Sequence, residues 1–195
     1  MARKAHLMKN IESVVGSKVT EEEKSKATEA YAIVGELILM ASMLDYQVNK
    51  VMIELLHLEY STMLEPTIAT LDISRKIEII KSRCRIMPKG VWRENTEKYV
   101  KLVEAVQGDR NKVAHGIMKI ENGRPILVFM AAAKFLKLLD FKSGTLKSME
   151  FSEFTPAIRK GEEALHLGGV LISNLEKLSQ AVRDRNSQGH DGKVD

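Results

Sequence analysis

Residues 20–57 read TEEEKSKATEAYAIVGELILMASMLDYQVNKVMIELLH, and this stretch decides the fold. Ala30, Ile33, Val34, Leu37, Ile38, Ala41, Leu44, Val48, Val51, Met52 and Leu55 recur at three- and four-residue intervals, the period of an amphipathic helix. Thr20 with Glu23 is the pattern of a capping box, and Glu21, Glu22 and Glu23 suit the positive end of the helix dipole. One long helix from Thr20 to about His57 is predicted. Its most apolar part, Ala30 to Leu44, is interrupted by Glu36 and followed by Asp45. It is shorter than the ~20 residues a spanning helix needs, so a core helix is expected and no membrane partner.

Working outward, Pro66 suits the first turn of a second helix running to about Arg85, with Ile68, Leu71, Ile77 and Ile80 inward and Arg75, Lys76 and Lys81 outward. Pro88-Lys89-Gly90 is a break. A third helix is predicted from about Trp92 to His115, its stripe formed by Tyr99, Leu102, Val103, Val106, Val113 and Ala114. Ile117–Ile120 and Ile126–Ala131 then flank Glu121-Asn122-Gly123-Arg124-Pro125, which reads as a small β-hairpin. Lys134 to Glu150 reads as irregular, a short helix and a loop. A last long helix is predicted from Ser152, as cap, to about Arg183. The fold class expected is all-α, an up-and-down bundle of four to five helices with a small hairpin after the third. An extension precedes it (1–19), the helical domain spans 20–185, and a polar tail lacking apolar anchors (186–195) is expected to be disordered.

With 195 residues, 44% of them hydrophobic, the chain can bury a core as one domain. The formal charge of +4 permits a polyanionic partner without requiring one, because a phosphate groove depends on local clustering. The lone Cys84 excludes an internal disulfide, and no zinc-type Cys/His spacing occurs, so no metal or cofactor is expected. A mixed stretch, Ala5 to Val15, follows Met1-Ala2-Arg3-Lys4 where a secretory signal would be apolar. A reducing, cytoplasmic setting is expected.

The chemistry concentrates in Asp109-Arg110-Asn111-Lys112-Val113-Ala114-His115-Gly116. It sets a guanidinium, a carboxamide and an imidazole at the end of the third helix, beside a glycine suited to stop it. Arg110 falls on the apolar stripe, where a cation needs a partner. Asn111 and His115 are an i,i+4 pair, and the imidazole faces the negative end of the dipole. Asp45 lies close to the inward stripe of the first helix and needs a cation, for which Arg110 or His115 on a packed neighbour is the candidate. The bland alternative is a structural ion pair that fixes helix register.

Arg110, four intervening residues and His115, with Asn111 directly after the arginine, resembles the signature of the HEPN superfamily (higher eukaryotes and prokaryotes nucleotide-binding domains). Ser42-Met43-Leu44-Asp45 resembles the acidic position on the first helix of many members, with aspartate in place of the usual glutamate. The resemblance covers roughly residues 25–185. It implies a metal-independent endoribonuclease in which an RNA 2′-hydroxyl attacks the adjacent phosphate. His115 would move the proton, Arg110 stabilise the phosphorane, Asn111 orient groups and Asp45 hold the cations. One histidine per motif, where both an acid and a base are wanted, implies a homodimer with the third helices meeting across the axis. RNA is the implied partner, and a nucleotidyltransferase-like antitoxin accompanies some members. Defence, toxin or stress-response RNA cutting is the implied setting. The rival expectation is a non-catalytic helical module that binds RNA, nucleotides or proteins.

Lys112, Lys119 and Arg124 are candidate RNA-backbone contacts or solvated surface charges. Arg75, Lys76, Lys81, Arg83 and Arg85 form a basic run diluted by Glu78. Trp92 and Tyr99 fit a helical face as packing anchors. Gly108 reads as a site of close approach or as a tolerated surface glycine, and Gly168-Gly169 has the same two readings.

Overall fold

The computed structural model describes residues 20–56, 64–130 and 146–188. The expected N-terminal extension (1–19), the helix and loop expected at 134–145, and the tail from 189 onward lie outside the described residues. Helix α1, Glu21–Leu55, opens with the expected capping box. The Thr20 backbone N–H donates to Glu23 Oε2 (2.8 Å), and the Glu23 N–H donates to Thr20 Oγ1 (3.3 Å). By length and composition α1 could cross a membrane. Leu37, Leu44, Val48 and Val51, however, are completely buried within the protein.

The single helix expected from Pro66 to Arg85 is two: α2, Leu64–Thr70, and α3, Ile73–Ile86. Asp72 causes the break. Its extended backbone starts a new helix, and its carboxylate accepts from the Arg75 N–H at 2.9 Å, a cap worth about 1 kcal/mol. After the Pro88–Gly90 break comes α4, Val91–Ala114, close to the predicted third helix.

The hairpin is present as β1, Gly116–Glu121, and β2, Arg124–Met130, joined by Asn122 and Gly123 at φ 52° and 72°. The turn is therefore shorter than the sequence suggested. A third strand, β3, Leu146–Glu150, pairs antiparallel with β2, giving the order β1-β2-β3. The end of the stretch read as irregular is thus a strand, and the molecule is mostly helical with a small antiparallel sheet. A 3-10 turn, Phe151–Phe154, then leads into α5, Thr155–Gln188. The 3-10 turn is capped by Glu150, whose N–H donates to Glu153 Oε1 at 2.8 Å, and Ser152, the expected cap of the last helix, lies inside that turn. Helix α5 also runs past Arg183, so residues 186–188, expected in a disordered tail, are helical.

Residue contacts gather into two compact units: the chain through Leu39 with Gln107–Ile158, and Met40–Val106 with Arg159 onward. Helices α1, α4 and α5 each contribute to both. In the first unit, the sheet's core residues are Leu127 and Phe129, with Phe151 and Phe154 beneath the entry to α5. Gly116 opens β1 under close constraint: a Cβ there would lie 2.7 Å from Leu127 Cδ1 and 2.8 Å from the Lys112 carbonyl oxygen. Close packing, not a left-handed cap, explains this glycine. Gly116→Ala is expected to cost about 1–3 kcal/mol, because a backbone carbonyl cannot rotate away. Gly108→Ala, in open space on α4, should instead stabilise by about 0.5–1 kcal/mol. Urea unfolding of the two variants checks the opposite signs.

In the second unit, Met40 packs on Gly161 and Gln47 on Gly168, seven residues on along both helices, so α1 and α5 run parallel there. A side chain at Gly168 would strike the Gln47 amide and the Tyr99 ring, which settles the close-approach reading; Gly169 faces open space. Gln47 Nε2 donates to the Leu165 carbonyl at 2.8 Å. Tyr99 is wholly buried, as an anchor should be, whereas Trp92 is 41% exposed and is not. The Tyr99 hydroxyl has no partner among the described residues, and burial pushes the phenol well above its ordinary value of about 10. A raised folded value means this contribution is intact below pH ~10 and is lost as pH climbs above it. Tyr99→Phe should therefore raise stability by about 1 kcal/mol at neutrality and flatten the alkaline decline; parallel melts at pH 7 to 11 measure both.

Candidate functional site

The buried face of α4 runs through Thr96, Tyr99, Val100, Val103, Val106 and Gln107. Arg110 continues that face by helical spacing, but it is only half-buried, because the core cover ends a turn earlier. Its guanidinium donates from Nη1 to Asn111 Oδ1 at 3.2 Å and pairs with no carboxylate among the described residues. Asn111 is exposed. The His115 N–H donates to the Asn111 carbonyl at 3.1 Å, closing the last turn, and its side chain is exposed. The motif's cation, amide and imidazole therefore share the terminal turn of one helix, open to solvent, with β1 leading directly away.

The neighbouring charges are largely engaged. Lys112 Nζ binds Asp109 Oδ1 at 2.5 Å and lies 6.0 Å from the Phe129 ring centroid. Arg124 Nη1 meets Glu150 Oε1 at 3.4 Å, both well exposed, where such pairs contribute little. Lys119 is exposed on β1 and has no ion pair among the described residues. Of the three candidate RNA contacts, Lys119 is the one left with its full charge to offer.

Asp45 does not take the expected role. Its carboxylate accepts from Lys76 Nζ at 2.8 Å, and Lys76 has no exposed side-chain surface. The expectation that Arg110 or His115 supplies its cation is corrected: the cation is Lys76, and the pair is of the structural kind. Lys76 was also expected outward. Its spacing reveals why it is not: Lys76, Ile77, Ile80 and Cys84 fall on one face of α3, and all four are buried. The remaining basic run is thinned further, since Lys81 Nζ bonds Glu104 at 2.6 Å and Glu78 at 3.3 Å.

No group of three or more His, Cys, Asp or Glu side chains gathers as a metal-holding cluster among the described residues. A surface cleft of about 370 Å³ in the first unit is bordered by Lys26, Glu29, Arg124 and Glu150, whose Lys26 is tied to Glu22 at 2.7 Å. Comparison with family models, with curated proteins and with solved structures found no match for this chain.

Proposed function

We propose that this chain is a HEPN-like endoribonuclease that cuts RNA without a metal, acting as a homodimer. The observation that carries the reading is the solvent-open terminal turn of α4. There a guanidinium that pairs with no carboxylate among the described residues sits beside a carboxamide, and an exposed imidazole follows. In this reading the RNA 2′-oxygen attacks phosphorus, the P–O5′ bond breaks, and a 2′,3′-cyclic phosphate and a 5′-hydroxyl result. One His115 accepts the 2′-hydroxyl proton, and His115 of the second copy donates a proton to the leaving oxygen. Arg110 neutralises charge gathering on the phosphorane oxygens, and Asn111 orients the guanidinium through the hydrogen bond already formed. Lys119 guides the backbone.

Asp45 drops out of the catalytic set, because Lys76 already occupies its carboxylate. That pair is what the rival reading requires of Asp45, a structural network, but it says nothing against Arg110 and His115. The up-and-down arrangement of the long helices, a cytoplasmic setting, a defence or toxin role and a nucleotidyltransferase-like antitoxin belong to the same proposal. Arg110→Ala tests it against the non-catalytic module. Loss of cleavage of mixed RNA in a chelator, at unchanged melting temperature, supports the enzyme. A large drop in stability with no cleavage to lose supports the module.

A further inference from the structure

In the second unit, a surface cleft of about 370 Å³ lies where α1 and α3 end and α4 begins, a size suited to a small-molecule site between helices. Leu55 closes α1 there, Arg83 and Met87 come from the end of α3, Trp92 from the start of α4, and Leu175 and Leu178 from α5. Leu55 and Leu175 are buried, whereas Trp92 is 41% and Leu178 48% exposed, so the cleft is apolar and open to water. Apolar surface left wet in a concave site is what the apolar body of a ligand removes from water.

The polar groups of the lining all have one character. Arg83 and Lys89 are its charged residues, the Trp92 indole adds an N–H, and no lining side chain carries an oxygen. Neither cation has an ion pair or side-chain hydrogen bond among the described residues. Lys81 and Arg93, which flank them in sequence, are by contrast each held by glutamate. Lys89 and Gly90 also lead into the N-terminus of α4, whose free N–H groups and dipole add to the positive field. Glu94 lies in the first turn of that helix but not in the lining.

We propose that this cleft binds a single-chain amphiphile with an anionic head, a fatty carboxylate. Its alkyl chain packs on Leu55, Trp92, Leu175 and Leu178, and its carboxylate is held by Arg83 and Lys89. The donor-only lining decides the class. A carboxylate accepts hydrogen bonds and carries the complementary charge, and a methylene chain asks for none. A nucleotide or sugar would bring hydroxyl and amine donors with no side-chain oxygen to receive them. A cationic amphiphile would meet two like charges. The cleft stands at the opposite end of α4 from Arg110 and His115, and the proposal is independent of RNA cleavage.

Trp92 is the one tryptophan of the chain, so its emission reports the cleft directly. Dodecanoate, titrated below its micelle threshold, should shift that emission to the blue, saturably and at micromolar concentration, and should raise the melting temperature. Arg83→Gln and Lys89→Gln, with circular dichroism unchanged, should each weaken binding by about tenfold, the loss of one charge-assisted contact. Leu178→Glu, which sets a carboxylate in the groove, should abolish it. Dodecyltrimethylammonium should leave the emission unmoved. The proposal is overturned if dodecanoate does not bind, if the cationic amphiphile binds equally, or if both glutamine variants bind as the wild type does. It is also overturned if the emission responds only to anionic phospholipid vesicles or to AMP, or shifts with protein concentration before any ligand is added. Those results assign the groove to a membrane, a nucleotide or a second copy.

Discussion

Asp45→Ala is expected to destabilise the protein by about 3 kcal/mol, more than any other single change to a polar residue described above. The reason is the asymmetry of its ion pair. Lys76 is fully enclosed, whereas 45% of the Asp45 side chain reaches solvent. Removing the carboxylate strands an ammonium in the core with nothing to neutralise it. Removing the lysine charge by Lys76→Met keeps the stem's volume and leaves a carboxylate that water can solvate, so a cost of about 1 kcal/mol or less is expected. The double variant should recover most of what Asp45→Ala loses, and a double-mutant cycle by urea unfolding reads this directly. Equal, small effects of the two single substitutions would contradict the structural assignment of Asp45.

His115→Ala should lower RNA cleavage by about 10²–10⁴-fold, the range for removing a general acid–base group. Its melting temperature should stay within about a degree of wild type, because the side chain is exposed and the residue closes the helix through its backbone. Arg110→Ala should lose about 10²–10³-fold by withdrawing charge from the phosphorane. A drop in cleavage that merely tracks a drop in stability would remove both residues from the chemistry. Asp45→Ala supplies the contrast: stability falls, while cleavage per folded molecule is retained.

The long helices were legible because each carries its own signal. Thr20 and Glu23 announce the start of α1, the apolar period runs through to Leu55, and Pro88–Gly90 separates α3 from α4. The Asn122–Gly123 turn made the hairpin readable for the same local reason. β3 was not readable, since Leu146–Glu150 takes its strand form from pairing with β2, a partner that residue spacing within the segment does not announce. Asp72 was a signal overlooked: an Asp placed three residues before an N–H it caps outweighed the apolar continuity across Leu71. Lys76 misled because charge was weighed above position. The cation that Asp45 demanded lay on the inward face of α3, one residue from Ile77. At the site, the sequence placed Arg110, Asn111 and His115 at a helix end, and the structure agrees. What spacing alone could not foresee was that the core stops short of Arg110, leaving it half open to water.

The most direct measurement is end-group analysis of RNA incubated with the purified chain in excess chelator. The account predicts fragments ending in a 2′,3′-cyclic phosphate, paired with 5′-hydroxyl ends, formed by the wild type and not by His115→Ala. Intact RNA after incubation with a folded, dimeric wild type, or equal cleavage by the variant, would contradict it.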